Sequence, residues 1–110
     1  MGRRIRRVLL ERMLDQLTAA LFDPHRGSTF RTAVGQSEVE LRLAAVERLP
    51  TYPGAPRPEP FSLVFTGPLE SPLGQRTHRL HHDVIGDLEI FLVPIGPGPE
   101  GVARYEAVFN

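Results

Sequence analysis

Gly86-Asp87-Leu88-Glu89-Ile90-Phe91-Leu92-Val93-Pro94-Ile95-Gly96 is the densest apolar run in a chain of 110 residues, and it is bracketed by glycines. Its length and its apolar content read as a central β-strand. Successive strand side chains point to opposite faces, so Leu88, Ile90 and Leu92 share one face while Phe91 and Val93 share the other. Both faces therefore ask for cover, and the other segments read most simply as elements packed against this one.

Working upstream, Gln75 to His82 alternates Thr77, Arg79 and His81 with His78, Leu80 and His82. The short connection Asp83-Val84-Ile85-Gly86 makes this strand the antiparallel neighbour of the opening run. Downstream, the turn Gly96-Pro97-Gly98-Pro99-Glu100-Gly101 leads to a strand from Ala103 to Phe109, with Tyr105, Ala107 and Phe109 opposite Arg104, Glu106 and Val108. Earlier in the chain, Phe61 to Thr66 sends Phe61, Leu63 and Phe65 toward a core, and Thr29 to Val34 forms another short strand. After Gly35-Gln36-Ser37 comes the cleanest alternation in the sequence, Val39, Leu41 and Leu43 against Glu38, Glu40 and Arg42. Its parity changes at Ala44-Ala45-Val46, which predicts a β-bulge. The stretch from Pro50 to Pro60 has prolines at 50, 53, 56, 58 and 60, so it is a stiff loop and not a central strand. A docking role for that loop, through Tyr52 and Arg57, is the less economical reading.

Six strands without βαβ spacing place the chain in the mainly β class, as a small antiparallel six-stranded barrel or sandwich with an N-terminal helix. The helix is expected from Leu9 to about residue 22, because Ile5, Leu9, Met13, Leu17 and Leu21 recur at helical spacing. Arginines at 3, 4, 6 and 7 oppose the helix dipole, so the first turn should fray. Met13 is an alternative start. Residues 1–16 are thus expected to be an extension or helix, and residues 17–110 a single β domain.

Basic and acidic residues balance at 13 each, so no global field attracts nucleic acid or acidic membranes. Phe61, Phe65, Phe91, Tyr105 and Phe109 lack interleaved basic residues and do not resemble a base-stacking platform. With no cysteine there is no disulfide scaffold, thiolate nucleophile or Cys-ligated zinc. No apolar run approaches the roughly 20 residues that span a bilayer. The apolar segment after the N-terminal arginines is cut short by Glu11, Arg12 and Asp15, so export is not expected. The expected location is the cytoplasm.

The nearest approach to a catalytic cluster is His78-Arg79-Leu80-His81-His82-Asp83. On a strand His81 and His82 face opposite sides, and His78 and His82 lie about 13 Å apart, too far for one metal. A metal site could use His82 and Asp83 with a third group from another strand, but polar edge histidines are the simpler reading. The Gly96–Gly101 loop has prolines where a phosphate-binding loop needs backbone donors. No Gly-x-Ser-x-Gly elbow is present. Neither catalytic residues nor a cofactor or metal are assigned.

Leu17-Thr18-Ala19-Ala20 with Phe22, Gly27 and Phe30, Pro60-Phe61-Ser62-Leu63-Val64-Phe65 with Gly67, His82 with Gly86, Phe91-Leu92-Val93-Pro94, and the ending Tyr105-Glu106-Ala107-Val108-Phe109-Asn110 together resemble a family of small bacterial proteins of unknown function. The resemblance covers about Leu17 to Asn110. It implies a β fold and a structural or assembly role, beside phage-tail-like fibre or collar proteins, and it supplies no catalytic residues.

Two functions remain open on the sequence. A noncatalytic protein-interaction or assembly module would use Val64, Phe91, Val93 and Val108, on faces opposite the main core set, to bind a protein partner or a second copy. A small-ligand carrier or hydrolase would place His78, His82, Tyr105 and Glu106 at a barrel mouth. Neither nucleic acid nor membrane is an expected partner.

Overall fold

A computed structural model describes residues 17–110. Six antiparallel strands form a closed barrel: β1 (Thr29–Val34), β2 (Ser37–Arg48), β3 (Phe61–Pro68), β4 (Arg76–His82), β5 (Gly86–Pro97) and β6 (Val102–Phe109). Around the ring the order is β1-β2-β3-β6-β5-β4. Two three-stranded meanders are thus joined along β3–β6 and along β1–β4, which decides for a barrel over a sandwich.

The apolar alternation fixes the inside. Leu88, Ile90 and Leu92 of β5 are buried at 1% exposure or less, together with Phe61, Leu63 and Phe65 of β3 and Leu41 and Leu43 of β2. Phe30, Leu80, Tyr105 and Ala107 complete the interior. The expected bulge is present: Leu43 pairs with Phe65 and Ala45 with Val64, so Ala44 is the extra residue. Beyond it Val46 takes the inward position opposite Leu63, and the bend this introduces lets the sheet close.

Two expected boundaries move. The helix does not run continuously to residue 22: Thr18 is extended (φ −134°, ψ 160°), and α1 covers only Ala19–Phe22. The Thr18 hydroxyl accepts from the Leu21 N–H at 3.2 Å, so this threonine starts a short helix instead of continuing a long one. The part of the expected helix before Leu17 lies outside the described residues. A 3-10 turn, Asp23–His25 with Pro24 near its start, follows directly. Similarly, β5 continues through Gly96 to Pro97, and the turn that follows is only Gly98 to Gly101.

Leu17 and Phe22 plug one end of the barrel. Phe22 is fully buried, its ring centroid 6.5 Å from Phe30 and 6.1 Å from Phe61. The proline-rich loop folds back over the same end. Arg57 donates through Nη1 to the Leu17 carbonyl at 2.8 Å and lies 5.8 and 5.7 Å from the centroids of the stacked Phe61 and Phe109 rings. These cation–π contacts pin the loop to the core.

Gly67 occupies an inward position on β3 because Leu41 needs the room. A Cβ there would stand 2.7 Å from Leu41 Cδ2 and 3.7 Å from Tyr105 Cε2, both buried side chains. Gly67→Ala is therefore expected to destabilise by about 1–3 kcal/mol despite alanine's lower entropy in the unfolded chain. Urea unfolding at neutral pH reads the difference.

Candidate functional site

His82, at the end of β4, points into the barrel beside the plug. Its ring lies 4.5 Å from Phe30 and 4.6 Å from His25, centroid to centroid. Nδ1 accepts two backbone N–H groups, from Val84 and Ile85, each at 3.1 Å. Those donors place the proton on Nε2, which donates to Ser28 Oγ at 3.0 Å. Ser28 in turn donates its hydroxyl proton to the His25 carbonyl. The pair has the proximity of a serine nucleophile and its base, but the protons run the opposite way, from histidine to serine. Burial, reinforced by the neighbouring His25, lowers the His82 pKa, although Asp83 pulls it upward. A neutral His82 holds the β4–β5 turn.

His78 is also buried and inward, donating Nε2–H to the Gly74 carbonyl at 2.7 Å. The Tyr105 hydroxyl, on β6, accepts from the Leu73 N–H at 2.9 Å. Both bonds fasten the connection between β3 and β4 to the barrel, and Leu73 is buried beneath it. Glu106 lies on the outer face, paired with Val64 on one side and Val93 on the other. Strand parity thus separates the four residues: His78, His82 and Tyr105 face in and Glu106 faces out.

The four apolar residues lie on the outer surface of β3, β6 and β5. Val64 and Val93 are half-buried and flank Glu106. Phe91 of β5 and Val108 of β6 point to the same outer side and are 51% and 48% exposed.

A second surface went unread in the sequence. Where β1 meets β4, a cleft of about 580 Å³ opens between Arg31, Thr32 and Ala33 on one strand and Arg76, Thr77 and Arg79 on the other. Arg31 is committed to Asp83 at 2.8 Å, which holds the Asp83 carboxyl below the usual carboxylate range. His81 donates Nδ1–H to Asp87 at 2.7 Å, and Arg79 reaches Glu89 at 3.5 Å. Arg76 has no acidic partner among the described residues. The only signal of this surface in the sequence was the outward parity of Arg31 and Arg79, which solvated strand faces share.

Among the described residues, no group of three or more His, Asp or Glu side chains is arranged to hold a metal ion, and no helix is long and apolar enough to cross a membrane. No curated protein and no solved structure matches the chain. A family model does, over residues 17–109, which is the barrel together with its plug. The chain therefore belongs to the family described as domain of unknown function DUF6916.

Proposed function

We propose that the protein is a noncatalytic interaction module, a rigid barrel that docks on a protein partner or on a second copy of itself through Val64, Phe91, Val93 and Val108. The observation that carries this reading is the half-exposure of two large apolar side chains, Phe91 on β5 and Val108 on β6, on the same outer side of the barrel. Full burial of a side chain such as Phe91 is worth about 1.5–3 kcal/mol, so a partner gains by covering it. The outer face is further favoured because, among the described residues, the inward positions are filled by buried side chains and the inward histidines are bonded to the fold's own backbone. The setting we favour is a phage-tail-like assembly, on the strength of the family resemblance alone.

Photo-crosslinking tests the face. A benzophenone side chain at position 91 in the native cell is expected to capture one discrete species, identified by mass as a second copy or a specific partner. The same probe at Val84, which is 75% exposed on the β4–β5 turn, supplies the background. In parallel, with the probe moved to Val108, Phe91→Glu should abolish capture of that species and remain folded. Equal crosslinking patterns from positions 91 and 84 would remove the support for this reading.

A further inference from the structure

The strands of the ring are joined unevenly. β1 pairs with β2 from Thr29 to Val34, and β4 pairs with β5 from Arg76 to His82, but the ladder between β1 and β4 is the single pair Arg31 and His81. In antiparallel sheets alternate residues turn their backbone N–H and C=O groups to opposite neighbours. Val34 and Ser37 close the two-residue hairpin turn, so Val34, Thr32 and Phe30 bond toward β2, and Arg31 and Ala33 turn toward β4. By the same alternation His81, Arg79 and Thr77 turn toward β1. Arg31 meets His81; Ala33, Arg79 and Thr77 look into the cleft.

We propose that this cleft receives an extended peptide segment with acidic side chains, added as a strand along the edge of β4. Two independent features specify that ligand. The backbone edge of Thr77 and Arg79 recognises main chain in the way any strand addition does, and its neighbour across the cleft has already parted from it. The side chains then select charge: the cleft's own carboxylates, Glu38 and Asp87, are held by Arg31 at 3.9 Å and His81 at 2.7 Å, whereas Arg76 has no acidic partner among the described residues and Arg79 holds Glu89 only at 3.5 Å in an exposed pair that a better-placed carboxylate displaces. A volume of about 580 Å³ accommodates a short segment and not a second folded domain. The cleft also adjoins the apolar face, because Thr77 pairs with Phe91 across β4–β5. The peptide site does not depend on that face being an interface.

The probe is the capped peptide Thr-Val-Glu-Val-Glu-Val-Thr, titrated into the isotope-labelled full chain. Chemical-shift changes are expected at the amides of Ala33, Thr77 and Arg79. A Lys-for-Glu peptide should bind at least about tenfold more weakly, as should the wild-type probe with the double variant Arg76→Gln/Arg79→Gln, which removes both charges without setting a second carboxylate opposite Glu89. A probe N-methylated at alternate amides should lose binding altogether. Absence of any shift up to the solubility limit overturns the proposal, as do shifts centred on Phe91 and Val108, equal binding of the N-methylated probe, or the same changes produced by sodium acetate at matched carboxylate concentration. The acetate result would reassign the cleft to small anions.

Discussion

Phe22→Ala is expected to cost the barrel about 3–5 kcal/mol, the largest effect of any single truncation considered for this fold. The ring is fully buried and sits against Phe30 and Phe61, so its removal leaves a cavity at the barrel's end that neither neighbour can fill, because each is an inward residue of a paired strand. The helix that delivers Phe22 has only four residues and is held by one threonine cap and by the Arg48–Asp23 ion pair at 2.8 Å. It cannot re-form elsewhere on its own propensity. A loss of this size is a large fraction of the 5–15 kcal/mol typical of small domains. The matching control is Phe91→Ala on the outside, expected to change stability by no more than about 0.5 kcal/mol. Denaturant midpoints for the two variants give the comparison directly, and equal losses would mean that Phe22 does not act as a plug.

Acid is expected to destabilise the protein through His82, and an asparagine should remove that sensitivity. The folded-state pKa of His82 is depressed by burial, so between its folded and unfolded values the unfolded chain carries the extra proton. The stability tied to neutral His82 is fully present above about pH 6.5, the unfolded value, and falls away as pH drops toward the folded pKa. Protonation also fills Nδ1, the acceptor for the Val84 and Ile85 N–H groups. His82→Ala should therefore cost about 2–4 kcal/mol at neutral pH, through two lost backbone bonds and a gap beside Phe30. His82→Asn keeps an acceptor oxygen near the Nδ1 position and has nothing to titrate. Its melting temperature should lie between those of wild type and alanine at pH 7.5, and should fall less than wild type's between pH 7 and pH 5. A wild-type curve that is flat over that range would exclude His82 as the source of acid sensitivity. The carboxylate Asp83, whose pKa is lowered by Arg31, contributes only at more acidic pH.

These effects trace back to features that the sequence exposes unequally. The alternation of Leu88, Ile90 and Leu92 with Phe91 and Val93 was legible because a strand's two faces are a local property, and the faces are as read. The bulge after Leu43 was legible for the same reason, as a break in parity. The short span of α1 was not, since periodicity at residues 17 and 21 looks helical whether or not Thr18 turns away to cap. The site was harder. Ser28 and His82 are 54 residues apart, and Leu73 and Tyr105 are 32 apart, so no spacing rule joins them. His78, His82 and Tyr105 attract notice as polar residues in apolar strands, but apart from Ser28 their partners are backbone groups, which leave no trace in side-chain identity. The cleft depends on a pairing that stops after one residue pair, and that follows from how two separate meanders meet.

That meeting also sets a clock. Every pairing within a meander is a hairpin or a short loop closure, but the ring is complete only when residues near 31 find residues near 81 and residues near 61 find residues near 109. Chains dominated by such distant pairings fold in milliseconds to seconds, orders of magnitude slower than helical bundles of equal stability. The junction of β1 with β4, joined by a single residue pair, is expected to exchange its amides faster than the other strand pairs of the ring.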